Sequence, residues 1–460
     1  MVQTISEPGR SAPHAVRLPA PGRSSAATGP PGASHERAGG TAGPRPAAGT
    51  PDQPSAGRRT VTTPGVVIDP AQNPLTLPDL LDHRAGTHPE RVALLVRGGG
   101  SVTYGQWRAS AVRAAHGLAR AGVRPGDRVA LLFTNQEWER YAVAFMAVQY
   151  AGAVALAVRE DHSATDTARL VELAGARTAV RGTARPAVPG LADLLLDHLT
   201  DATGAAGGPA GGNVPDEPPH RPAPEDPAQI IGTSGTTGAP KGVLAAHASL
   251  TAGLALNPRP RPYAHSGHAL HAFPIGTNAA QVVLVGALTG HPTTVCLPRF
   301  DAEEFARAVA ELAVGTVFLV PSMAVELVNS KVAERHDLTG VLLVSCSAAA
   351  LPAPVATALA GALPKATVVN TYTSAEASPA QISTIVDATR PGSVGRPADP
   401  DGLRILDPDG HPVPPGGTGD IWLRQPGPGR PAPAARRPPP PGGAGGGGGV
   451  DKKKKTPHTI

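Results

Sequence analysis

Thr233-Ser234-Gly235-Thr236-Thr237-Gly238-Ala239-Pro240-Lys241-Gly242 is the stretch on which the reading of this chain turns. Three glycines, four hydroxyls and one lysine fall within it. Glycine lets a backbone turn tightly and bring its N–H groups against a ligand. Hydroxyls add donors, and a lysine adds a mobile positive charge. Together they suit a polyphosphate. A Walker A loop requires Gly-Lys-Ser/Thr, whereas Lys241 lies between Pro240 and Gly242. The competing reading of the string is a plain Gly/Thr-rich turn between strands. Apolar residues flank it on both sides, Gln229-Ile230-Ile231 before and Val243 to Ala246 after.

Upstream, apolar runs alternate with helical spacing. Thr76 is placed to cap a helix through Leu77, Leu80 and Leu81, with Pro78 tolerated in its first turn. Arg91 to Arg97 reads as a buried strand, Gly98 to Gly100 as its turn, and Ser101 to Tyr104 as a second short strand. Trp107, Ala111, Ala114 and Leu118 recur at helical spacing, and Gly122 marks a stop. A strand from Arg128 to Phe133 follows the turn Pro125-Gly126-Asp127. Asn135 is a candidate cap for the next helix, whose face carries Trp138, Ala142 and Phe145. Gly152 ends that helix, and Val154 to Val158 is another strand. Strands alternating with helices predict a layered, parallel α/β sheet. From Pro391 the pattern turns to strand and turn, with Arg404-Ile405-Leu406, the turn Asp407-Pro408-Asp409-Gly410, and Asp420 to Leu423.

Composition narrows the function. The net charge is +5, and Lys452 to Lys455 supply most of it. Basic patches interleaved with aromatics are absent, which argues against a nucleic-acid partner. No apolar run approaches the ~18 residues of a membrane span, and the N-terminus shows no hydrophobic signal core. Cys296 and Cys346 sit in apolar surroundings, which fits a reducing cytoplasm better than a disulfide framework. Residues 1–66 are Pro/Ala/Gly-rich and read as a disordered leader or an over-extended gene start. Residues 201–228 read as a flexible linker inside the domain spanning 67–425. Residues 426–460 are low-complexity, with prolines, five consecutive glycines from Gly445 and then the lysine run. Before that tail only Lys241, Lys331 and Lys365 occur, so the tail reads as a frameshift or as a natural flexible end.

The Thr233–Gly242 loop resembles the signature loop of the adenylate-forming superfamily: acyl-CoA synthetases, luciferases and peptide-synthetase adenylation domains. The resemblance covers about Leu75 to Gln425 and implies an α/β fold, with two α/β subdomains, a small β-rich subdomain and the lid domain missing. It implies ATP-dependent activation of a small-molecule carboxylic acid, with Mg²⁺, and transfer to CoA or to an acyl-carrier protein. Thr233, Ser234, Gly235, Thr236, Thr237 and Gly238 would hold the phosphates, with Lys241 adding charge. Asn370-Thr371-Tyr372-Thr373-Ser374-Ala375-Glu376 resembles the family's Tyr-Gly-x-Thr-Glu segment. Asn370, Tyr372, Thr373 and Ser374 are therefore implied at the nucleotide, with Tyr372 on the adenine and Glu376 on the metal. Thr373 replaces the usual glycine and Ala375 the usual threonine. Cys346-Ser347-Ala348-Ala349-Ala350 stands where the family has Gly-Gly-Ala, so Ala348 and Ala349 either face the adenine or pack in the core.

Phe273, Ile275, Gly276, Thr277 and Asn278 are implied around the acid. Pro274 stands where amino-acid-activating relatives place an aspartate. A buried ammonium without a counter-charge is costly, so amino acids are disfavoured. Pro391 to Pro397 and Gly419-Asp420-Ile421 resemble structural elements of the family. Neither the family's ribose-binding Thr-Gly-Asp segment nor its lid lysine is found after Gln425. Three readings follow: an acyl-CoA synthetase, an acyl-AMP ligase loading a carrier protein, or a catalytically impaired nucleotide- or acyl-binding remnant.

Overall fold

The computed structural model describes residues 74–200, 216–233, 241–375, 377–387, 393–397 and 402–423. The first half comprises α1 (Leu77–Thr87), β1 (Val92–Val96), β2 (Ser101–Thr103), α2 (Tyr104–Arg120), β3 (Arg128–Leu132), α3 (Trp138–Tyr150), β4 (Val154–Val158), α4 (Ala164–Ala174), β5 (Thr178–Arg181), β6 (Ala192–Leu195) and α5 (Leu196–Thr200). Next come β7 (Pro227–Thr233), β8 (Lys241–Ala246), α6 (His247–Thr251), β9 (His268–His271), α7 (Asn278–Thr289), β10 (Thr293–Cys296), α8 (Ala302–Glu311), β11 (Thr316–Leu319) and α9 (Pro321–Asn329). The chain continues through β12 (Leu343–Cys346), α10 (Ala353–Ala362), β13 (Thr367–Tyr372), β14 (Ile382–Ile385), β15 (Arg396–Pro397), β16 (Leu403–Leu406) and β17 (Asp420–Leu423).

Local chemistry sets the helix starts. Thr76 accepts from Asp79 N–H, and Asp79 reaches back to the Thr76 backbone, closing a capping box on α1. Thr103 and Gln106 do the same for α2. Ser163 caps α4, and Gly175 at φ +67° ends it in the left-handed conformation.

Two large sheets result. One has the order β6-β5-β3-β4-β7-β8, parallel except for β8. The other has the order β15-β14-β13-β12-β11-β9-β10-β1-β2, parallel from β13 to β1 with antiparallel strands at both margins. Side chains of a strand alternate between faces, so one strand feeds two cores. Val129 and Leu131 of β3 enter the core shared with α1, α2, α3 and α7, while Ala130 and Leu132 enter the one shared with α4. Leu94 of β1 and Cys296 of β10 enter that same central core from the other sheet. Val295, Val317 and Val344 face a third core against α8, α9 and α10. The molecule is thus layered: helix, sheet, helices, sheet, helices. Strands β16 and β17 form a separate antiparallel pair, with Gly410 at φ +88° in the connecting turn.

From Asp216 onward, the described part of the segment read as a linker is held by polar contacts. Arg108 binds the Asp216 carboxylate at 2.7 Å, His116 meets Glu217 O at 2.9 Å, and His220 N–H donates to Tyr150 O at 3.1 Å. Polar anchors to α2 and the end of α3 replace the apolar burial the segment lacks. Asn135 does not cap α3. Thr134 and Glu137 close a capping box around a short turn, which frees the Asn135 side chain for another task.

Candidate active site

In open α/β sheets, ligands bind beyond the carboxyl ends of parallel strands. The implied site residues fall at those ends. The loop of interest leaves β7 at Thr233 and returns to β8 at Lys241, the two being backbone partners across the ladder. Ser234, Gly235, Thr236, Thr237 and Gly238 lie outside the described residues, as does Glu376, and Lys241 is described by its backbone alone. Strand β7 runs beside β4, with Ala157 opposite Ile231. Beyond the end of β4, the Arg159 amide nitrogen lies 2.9 Å from where a Cβ on Gly276 would sit. The Phe273–Asn278 loop therefore meets the edge from which the Thr233–Lys241 loop springs.

Within that loop the residues divide. Phe273 and Ile275 are buried in the central core, 4% and 0% exposed. Gly276 takes φ +87°, and the Arg159 backbone leaves no room for a side chain. Thr277 caps α7, accepting from Ala280 N–H at 3.2 Å and donating to Pro274 O at 2.9 Å. Pro274, Thr277 and Asn278 are half-buried. They are the residues of this loop that keep accessible surface.

His271 holds the loop from beneath. Its Nδ1 accepts from Phe273 N–H at 3.1 Å, so Nε2 carries the proton and donates to Cys296 Sγ at 3.1 Å. Burial lowers its pKa to about 3, so the ring is neutral. The edge of Trp138 packs on it with centroids 5.1 Å apart.

The residues implied at the nucleotide sit on the β12 and β13 ends. Cys346 and Asn370 are register partners. Ala348 and Ala349 are exposed, and Ala348 adopts φ +75°. Asn370 is half-buried, and its Oδ1 is a buried acceptor with no partner among the described residues. Tyr372, also half-buried, closes β13 opposite Ile382, and burial raises its pKa. Thr373 donates to Ala380 O at 2.7 Å, tying down the turn after β13. Ser374 Oγ accepts from Ala377 N–H at 3.2 Å, an intraloop bond that caps the same turn. The orphaned Asn370 oxygen fits a ligand donor such as the exocyclic amine of adenine. Among the described residues no group of three or more His, Cys, Asp or Glu side chains gathers to hold a metal.

The profile of the family described as AMP-binding enzyme matches residues 81–430. This chain belongs to the AMP-binding enzyme family. The chain is 31% identical over 356 residues to a feruloyl-CoA synthase of Amycolatopsis sp, covering 75% of this chain and 68% of that one. It is 31% identical over 366 residues to the phosphinothricin tripeptide synthetase PhsB of Streptomyces viridochromogenes, covering 76% of this chain and 29% of that one. The fold is similar to the N-terminal domain of FACL13 from Mycobacterium tuberculosis, with a TM-score of 0.62 at 23% identity, over 75% of this chain and 88% of that one. The chain thus spans about two thirds of the first relative and less than a third of the second. Within this family the α/β layering expected from the sequence is the observed fold.

Asn135 is the residue that sequence reasoning misplaced. Its side chain reaches the Phe273–Asn278 loop, accepting from Ile275 N–H at 2.8 Å. The signal was local: Thr134 and Glu137 already satisfy the turn, leaving Asn135 without capping work.

Proposed function

We propose that this protein activates a carboxylic acid with ATP and Mg²⁺, forming an acyl-adenylate and pyrophosphate, and passes the acyl group to the thiol of CoA with release of AMP. The observation that carries the reading is Asn370 Oδ1, without a partner among the described residues, beside Tyr372 at the carboxyl ends of the parallel strands. Family membership supports the same chemistry.

In the reaction, a carboxylate oxygen attacks the α-phosphorus and the bond to pyrophosphate breaks. The protein's work is positioning and charge neutralisation. Thr233 to Gly238 and Lys241 would cradle the β- and γ-phosphates. Tyr372 would stack on adenine, and Asn370 Oδ1 would accept from its amine. Ala348 and Ala349, small and exposed, leave the base room to approach the strand ends. Thr373 and Ser374 hold the turn after β13, and the carboxylate of Glu376 would suit Mg²⁺. Pro274, Thr277 and Asn278 would face the acid, with Phe273 and Ile275 behind them. No carboxylate stands at position 274, which favours acids without an α-amino group. The feruloyl-CoA synthase likeness supports CoA as acceptor, and the tripeptide-synthetase likeness supports a carrier protein as the second choice. Cys296 and Cys346, both buried thiols, are consistent with a reducing cytoplasm.

One feature favours a weaker catalyst. Ala375 brings no hydroxyl where the family's threonine would, and removing such a donor costs on the order of 10²-fold. The test is carboxylate-dependent pyrophosphate release with aryl, fatty and short-chain acids. Glu376→Gln is expected to lower release about 10²-fold. Unchanged release would remove Glu376 from the metal site. Silence across all acids, with ATP still bound, would replace the enzyme reading with a nucleotide-binding one.

A further inference from the structure

The two sheets meet at one buried carboxamide. Asn135, 6% exposed, sits just past β3. Its backbone N–H donates to Glu160 Oε2 at 2.8 Å, and its Nδ2 donates to Glu160 Oε1 at 2.5 Å. Glu160 itself lies just past β4. Both carboxylate oxygens are used, so the carboxamide cannot rotate without breaking a charge-assisted bond. That fixes Oδ1 toward the other sheet, where it accepts from Ile275 N–H at 2.8 Å. Gly276 follows at once, pressed on the Arg159 backbone. Thr277 then starts α7.

We propose that Asn135, oriented by Glu160, is a positioning residue that sets the acid-binding loop and the first turn of α7 relative to the six-stranded sheet. The assignment rests on the acid-activating reading of the site. Asn135 acts through the Ile275 peptide, and the residues it places are Pro274, Thr277 and Asn278. The loop spans Phe273 to Thr277, and the Ile275 N–H bond to Asn135 crosses from one sheet to the other. Without it, the buried Ile275 N–H loses its acceptor and the loop loses its reference to the edge carrying the Thr233–Lys241 loop. Acid binding should then suffer while nucleotide binding, centred on β12 and β13, does not. Glu160 distinguishes this device from a mere core amide. It is an exposed carboxylate, and among the described residues both of its oxygens bond Asn135.

The experiment uses the full chain and two readouts. Hydrogen exchange of the segment 273–280 reports the loop whether or not the protein turns over. Acid and ATP titrations of pyrophosphate release report its use. In Asn135→Ala, exchange in 273–280 should quicken at least tenfold, and KM for the acid should rise about tenfold with KM for ATP unchanged. Asn135→Asp keeps the acceptor for Ile275 but sets two carboxylates together, so it should resemble the alanine variant. Adding Glu160→Gln to Asn135→Asp restores a donor–acceptor pair and should return both readouts toward wild type. Unaltered exchange in the alanine variant would overturn the proposal. Equal rises in both KM values, or no rescue by the double substitution with both proteins folded by circular dichroism, would do the same. A wild-type chain inert toward every acid would instead sink the enzyme reading, and the exchange measurement would still decide what Asn135 holds.

Discussion

Ala348 holds φ +75° on the lip of the candidate nucleotide site, a conformation that costs an alanine about 1 kcal/mol or more. Relatives of the resembled family place glycine in this stretch, and the backbone angle gives the physical reason. Ala348→Gly is therefore expected to stabilise the chain by about 1 kcal/mol, part of it offset by the extra freedom glycine has when unfolded. Urea unfolding measures this, and a loss of stability would show that the lip relaxes in solution. Two buried histidines make a second residue-scale prediction. Burial lowers His271 to about 3 and His247 to about 4, the latter accepting from Leu77 N–H at 3.2 Å. Both pKa values lie below the unfolded 6.5, so between pH 6.5 and 4 the unfolded chain binds protons that the folded chain refuses. Stability is complete above pH 6.5 and falls as pH drops, by up to about 1.4 kcal/mol per pH unit for each histidine. His88, His162, His265 and His291 are shifted in the same direction and steepen the slope. Unfolding free energies measured from pH 6.5 to 5, above the carboxylate range, check this. A flat profile there would contradict neutral buried rings.

Helix α7 carries Asn278 toward the site at its first turn, and its far end is fastened by cations. Arg84, 1% exposed, donates to Gly290 O at 3.3 Å and to Tyr104 OH at 2.8 Å, while its guanidinium lies 4.3 Å from the Tyr104 ring centre. Tyr104 OH donates in turn to Ala287 O at 2.6 Å, and Arg261 donates to Thr289 O at 3.3 Å. The last carbonyls of a helix lack partners within the helix and carry its negative pole, so these donors satisfy and neutralise them together. Arg84→Leu is expected to cost about 2 kcal/mol, from the stranded Gly290 carbonyl and the lost contact with Tyr104. Thermal unfolding gives the number, and a change within about 0.5 kcal/mol would mean water replaces the arginine. Boundaries of other helices were legible from residue spacing. Thr76, Gly122 and Gly152 mark boundaries that the structure keeps. The partners of Arg84 were not legible, because Gly290 lies about two hundred residues away and no local pattern encodes that distance.

At the scale of the molecule, the layers bring the ends of β4, β7, β12 and β13 to the carboxyl edges of two sheets. A ligand that binds the folded chain and not the unfolded one adds stability by mass action, about 2.7 kcal/mol at a concentration one hundred times its Kd. ATP with Mg²⁺ is accordingly expected to raise the unfolding midpoint, and Asn370→Leu to remove most of that rise. A midpoint indifferent to ATP would remove adenine from the proposed site. Asn370 is the informative substitution because its oxygen is buried and without a partner among the described residues, so leucine would delete the proposed ligand contact and strand no described donor.

The Thr233–Gly242 string carries the family resemblance, and the alternation of strands with helices specifies an α/β chain, because motif and strand periodicity are local properties written in consecutive residues. Turn chemistry is local as well, which is why Asp407 to Gly410 was readable as a turn. Phe273 and Ile275, taken alone, read as plain core residues, and they are core; which of their neighbours keep accessible surface was not readable, since all stand in a single short run. Nor was the task of Asn135, whose sequence neighbours suggest a helix cap. Burial and hydrogen-bond pairing between segments 140 residues apart are settled only when the sheets close on one another. Closure itself follows from the total apolar surface, a sum that no short motif contains.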